Sequence, residues 1–138
     1  MELEDRISII EERNKWKVPE ELEGKVLFNI IGKIGDDEMV FITNDNEKYR
    51  LFHSQDCCEN VQIEDIIGDL NDLIGRRIIM ADMAVSTEKN PIGVKIPEYQ
   101  ESFTWTFYKL ATVWGYVTIR WYGESNGYYS EKVDFEKC

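Results

Sequence analysis

The stretch His53-Ser-Gln-Asp-Cys-Cys-Glu59 holds the only histidine of the chain and two of its three cysteines. A thiol beside an imidazole can be a nucleophile, because the imidazole favours the thiolate, and the same two donors suit zinc. The spacing argues against both. Zinc sites favour CxxC pairs, whose sulfurs turn toward one ion, whereas adjacent cysteines on an extended chain point opposite ways. A metal on His53 and Cys57 would need two further ligands, from Asp56, Glu59 or another subunit. No family signature surrounds a Cys57 nucleophile. A bridge between Cys57 and Cys58 is disfavoured by geometry, so both read as reduced thiols, which fit a cytoplasmic setting. The expectation is no catalytic residue, no cofactor and no metal, with a Cys/His-dependent enzyme or a metal on His53 and Cys57 as the weaker alternative.

The carboxylates that follow, Glu64, Asp65, Asp69 and Asp72, lack the spacing of a calcium loop. Asp65 and Asp69 read as caps of a short helix. With Asp56, Glu59, Glu64 and Asp72 they leave a negative edge over residues 56–72. Phosphate-binding glycine loops, nucleophile elbows and HExxH are all missing from the sequence.

A third group of residues suits recognition better than catalysis. In the C-terminal third, Phe103, Trp105 and Phe107 alternate with Thr104, Thr106 and Tyr108, and Val117, Ile119 and Trp121 alternate with Thr118, Arg120 and Tyr122. A period of two places one set on each face of a strand, so the apolar set is expected inside. The other set, with Tyr128 and Ser130, then forms a surface of hydroxyls, phenols and one guanidinium. Such a face can stack on a base, pair with phosphate or carboxylate, or anchor a protein partner.

The elements that must position these residues follow from pattern and punctuation. Residues 3–16 place Leu3, Ile7 and Ile10 on one stripe, which predicts an amphipathic helix ended by Pro19. Three strands are expected at about 25–34, 38–44 and 48–54, divided by turn residues. "GDLNDLIG" predicts a short helix capped by Asp69 and stopped by Gly75. "RRIIMADMAV" reads as a buried strand, residues 87–101 as a loop, and Asn126-Gly127 as the turn of a hairpin joining strands near 116–122 and 129–135. The expected fold class is α+β: an N-terminal helix over residues 1–20, then one mainly antiparallel β-sheet domain over 21–138 with one short internal helix.

The chain has 138 residues, 43% of them hydrophobic, with 27 acidic against 16 basic side chains and a formal charge of −11. That composition supports a folded domain. Such a negative surface disfavours direct binding of nucleic acid, which relies on Lys and Arg displacing counterions. It suits a basic groove on another protein. No run is long and apolar enough to span a bilayer, and the acidic start lacks the layout of a signal peptide, so no membrane contact and a cytoplasmic location are expected.

Two blocks, "HSQDCCENVQIEDIIGDLNDLIG" and "ESFTWTFYKLATVWGYVTIRWYGESNGYYSEKVDF", resemble a group of small proteins frequent in bacteriophage and prophage genomes and classed as a domain of unknown function. The resemblance covers about residues 26–136 and implies a phage accessory protein with no catalytic residues to carry over. With the charge and the missing motifs, it leads to the expectation of a non-enzymatic protein that binds and inhibits a host protein of an anti-phage defence, acting in the host cytoplasm. The alternative is a sponge for a small nucleotide signal, with Arg120 on phosphate in a pocket that two subunits of a homo-oligomer could share.

Overall fold

The structure, a computed structural model, describes residues 18–97 and 99–138. Eight strands run through them: β1 (Leu27–Ile31), β2 (Glu38–Thr43), β3 (Lys48–Phe52), β4 (Asn60–Ile67), β5 (Met80–Thr87), β6 (Ser102–Thr112), β7 (Gly115–Ser125) and β8 (Asp134–Lys137). They form two antiparallel sheets, ordered β1-β2-β3-β8 and β4-β7-β6-β5. The α+β expectation is therefore corrected to an all-β architecture among the described residues. The segment after Asp69 makes only a single 3-10 turn, Leu70–Leu73, although Asp69 does cap it by accepting the N–H of Asn71. Four residues between a cap and Ile74, which already pairs beside Leu27, leave no room for an α-helix. A second 3-10 turn covers Glu20–Leu22. The helix expected over residues 3–16 lies outside the described residues.

The two sheets share one core. Met39, Phe41, Tyr49, Leu51 and Phe135 from the first belong to one buried cluster with Ile63, Met83, Tyr108, Leu110, Val117, Ile119 and Trp121 from the second. Because strands alternate, β2 buries every second residue and leaves the others half-covered. On the outside of the first sheet Arg50 pairs with Glu38 on β2 and Glu136 on β8, tying three strands across. Glu47, in the β2–β3 turn, holds Lys25 and Lys137.

The hairpin expected at Asn126-Gly127 is a second correction. β8 does not return along β7; it pairs with β3, in register from Tyr49 opposite Lys137 to Phe52 opposite Asp134. Residues 126–133 instead cross from one sheet to the other. Polar burial explains the choice: Glu131 turns inward and accepts hydroxyl hydrogen bonds from Thr104 and Ser125, while Val133 is fully buried.

On three of the four edge strands a short polar side chain accepts the N–H of the following residue. Asn29 does so for Ile30 on β1, Asp65 for Ile66 on β4 and Asp82 for Met83 on β5. The fourth edge, β8, is only four residues long. Occupied donors and short strands both blunt a sheet edge.

Two measurements test this packing. Trp121→Ala, which empties a fully buried position, is expected to cost about 3–5 kcal/mol in denaturant unfolding. Lys137 and Lys25 hold the Glu47 carboxyl at about 2, below its ordinary 4.5. A depressed folded-state pKa stabilises above the unfolded value, so this contribution is complete above pH 4.5 and disappears as pH falls toward 2. A pH series of melting temperatures is expected to fall less steeply across that window for Glu47→Gln than for the unaltered chain.

Candidate protein-binding surfaces

In the second sheet the faces of β7 follow the alternation and those of β6 invert it. Cross-strand partners share a face, and Thr106 lies opposite Trp121 while Tyr108 lies opposite Ile119. Thr104, Thr106 and Tyr108 therefore point into the core and are buried. Tyr108 donates to the carbonyl of Val133, and burial raises its phenol, with the Asp134 carboxylate adding to the shift. Phe103, Trp105 and Phe107 face outward with Arg120 and Tyr122. The two-residue tip at Val113-Trp114 sets this register, because it pairs Thr112 with Gly115 and so joins the even face of β6 to the odd face of β7.

Trp105 is nonetheless only 1% exposed. Asn90 and Gln100, from the connection between β5 and β6, close over it. Its indole N–H donates to Asn90, the side-chain amides of Asn90 and Gln100 bond each other reciprocally, and Gln100 donates to the Tyr122 hydroxyl. Tyr122 in turn donates to Glu124, and burial, with Glu124, raises its phenol. Arg120 lies 5.5 Å from the Trp105 ring centre and is held by Glu64 and Asp65. Thr118 is half-buried beside Ile67, and Tyr128 is exposed in the crossing, apart from this network. The expected recognition face is thus divided: three members are core, Tyr122 is engaged by Gln100 and Arg120 by two carboxylates, and Thr118, Tyr128 and Ser130 remain at the periphery.

His53 and Glu59, at the two ends of the opening heptad, form a buried polar corner, and the five residues between them are exposed. His53 Nδ1–H donates to the Lys132 carbonyl, and its Nε2 lies 3.9 Å from the Glu59 carboxylate. Burial pushes the Glu59 carboxyl up, but backbone N–H groups of Asp56 and Cys57 and the facing imidazole bring the net shift below its ordinary value. Glu59 is therefore inside, not on a negative edge, while Asp56 is exposed. Cys57 and Cys58 are joined in a vicinal disulfide, which corrects the expectation of two reduced thiols. Both amides reaching Glu59 fold the chain back at this point and bring the sulfurs together. So bonded, Cys57 has no thiolate to offer a metal or a substrate, and the cysteines no longer argue for a cytoplasmic setting. No cluster of three potential metal ligands occurs among the described residues.

What sequence reasoning missed lies at the opposite end of the sandwich. The β6–β7 turn carries Val113 and Trp114, exposed to 72% and 53%. A two-residue turn of this kind normally favours Asn and Gly, so "ATVWGY" is the signal that could have found it. The tip is rigidly seated. Thr112 donates to the Asp72 carbonyl and accepts the Trp114 N–H. Arg76 lies over the Trp114 ring at 4.7 Å, and the indole rests above Gly75, where a side chain would meet it. Tyr116, Ile67 and Ile79 extend the exposed apolar surface nearby. Trp, Tyr and Arg on a fixed support are the composition of an interface anchor.

A family model described as a domain of unknown function, DUF7448, matches residues 12–135. The chain belongs to this family. No curated protein and no solved structure matches it. Membership in DUF7448 brings no activity with it, so the surfaces themselves must carry the functional argument. Among the described residues no helix is long and apolar enough to cross a membrane.

The loop over Trp105 gives a direct test. Asn90→Ala removes the acceptor of the indole and half of the amide pair, so a loss of about 1 kcal/mol is expected. Hydrogen exchange across residues 88–101 is expected to quicken while the strand amides stay protected.

Proposed function

We propose that this domain is a non-enzymatic protein-binding module, a phage or prophage accessory protein that occludes a host protein, one belonging to an anti-phage defence. The observation that carries the reading is the preorganised Val113-Trp114 tip, two large apolar side chains held out to solvent by Thr112, Asp72, Gly75 and Arg76. An exposed apolar patch on a rigid support lowers the ordering cost of association. The phage origin rests on the two sequence blocks that resemble prophage proteins. The formal charge of −11 supports a target with a basic surface.

The structure gives less support to a nucleotide ligand. Arg120, the group needed on phosphate, is already held by two carboxylates. A phosphate would have to displace both, and their charges would oppose its approach.

Affinity capture from a bacterial host lysate, compared between the unaltered chain and Trp114→Ala, tests the reading. A host protein retained by the first is expected to be lost or weakened about thirtyfold with the second, the scale of an interface anchor. Equal capture by both, or capture by neither, removes the tip as the basis of the function.

A further inference from the structure

Arg76 and Arg77 lie toward one end of the second sheet and Glu101 and Glu124 toward the other, none of them in an ion pair with a described residue. β6 and β7 stay in register from Ser102 opposite Ser125 to Thr112 opposite Gly115, a span of about 34 Å at the usual strand rise. At the Thr112 end sit Trp114, Arg76 and Arg77. Arg50 and Arg120 each hold two carboxylates, whereas Arg76 and Arg77 form no ion pair with any described residue. Two carboxylates share this end but turn toward the chain: Asp69 accepts the Asn71 N–H, and Asp72 lies against Gly115.

At the Ser102 end a cleft of about 240 Å³ opens between the start of β4, the end of β7 and the loop that leads into β6. Tyr99, Glu101, Glu124, Asn60 and Asn126 line it. Neither glutamate has a cationic partner among the described residues, and no basic side chain lines the cleft. One exposed phenol with two carboxylates, of which Glu124 also accepts the Tyr122 hydroxyl, suits a guanidinium and an indole, since the phenol face attracts the cation and the carboxylates pair with it.

We propose that the Trp114–Arg76–Arg77 end of one molecule docks into the Tyr99–Glu101–Glu124 cleft of a second copy. The occupant is argued from charge: a chain of −11 presents few cationic surfaces, and this one is joined to the apolar knob that most needs covering. At physiological salt the overall repulsion between two such chains is screened beyond about 8 Å, which leaves the contacts between the ends to decide. Because knob and cleft lie at opposite ends, the contact is head-to-tail and propagates into rings or short chains instead of closing as a two-fold dimer. This inference uses the same tip as the proposed function but needs no host protein, so each can fail without the other.

Sedimentation equilibrium of the full chain over a concentration series tests it. The weight-average mass is expected to rise above the 16.3 kDa of one chain as concentration increases. Two charge-reversed variants, Arg76→Glu/Arg77→Glu and Glu101→Arg/Glu124→Arg, are each expected to remain at the single-chain mass, with circular dichroism matching the parent. Mixing them is expected to restore association, since the reversed knob then meets a reversed cleft. A parent chain that stays monomeric throughout overturns the proposal, as do variants that associate like the parent or a mixture that stays dissociated.

Discussion

Everything in this sandwich depends on how the chain crosses from β7 to β8, and the crossing depends on one buried carboxylate. Glu131 sits between the sheets, and two hydroxyls, from Thr104 and Ser125, satisfy it. A carboxylate left unpaired there would be prohibitive, so the hydroxyls decide that residues 126–133 run inward past β6. From that path β8 can reach only β3, where Phe135 stacks on Tyr49 with ring centres 5.7 Å apart. Without this connection the first sheet would lose its fourth strand and the core one of its aromatic walls.

The same corner explains why chemistry-bearing residues are not a catalytic centre. His53 bonds the carbonyl of Lys132, next to Glu131, and faces Glu59, which gathers the amides of Asp56 and Cys57. Each group is used to close one end of the sandwich. Residue types that suggest reactivity in sequence here satisfy backbone groups that loops would otherwise bury unpaired.

Much of the strand content was legible in the sequence. Turn residues at 35–37 and 44–46 divide β1, β2 and β3 as expected, and alternation in β7 correctly put Val117, Ile119 and Trp121 inside. The faces of β6 were not legible, because Thr104, Thr106 and Tyr108 alternate with residues that are more apolar and would ordinarily be inside. What reversed them was the register imposed by the Val113-Trp114 tip, together with the Asn90 and Gln100 amides that engage Trp105 and Tyr122 from outside the sheet. Likewise Asn126-Gly127 does mark a turn, with Gly127 at a φ of 91°, but local chemistry does not say which strand comes next. The Trp114 knob went unseen since an apolar pair inside an alternating stretch reads as buried strand.

The polar caps on Asn29, Asp65 and Asp82 have a consequence for specificity. Main-chain pairing is indifferent to side-chain identity, so a domain that recruited foreign segments along its margins would accept many sequences. Here a side chain already occupies one backbone donor on each of three edge strands, so a partner of the kind proposed would be distinguished more by shape and charge at the protruding groups than by strand pairing. Under the proposed function, a single substitution in the target would then abolish recognition, and the pressure to change would fall on a small number of positions on either side.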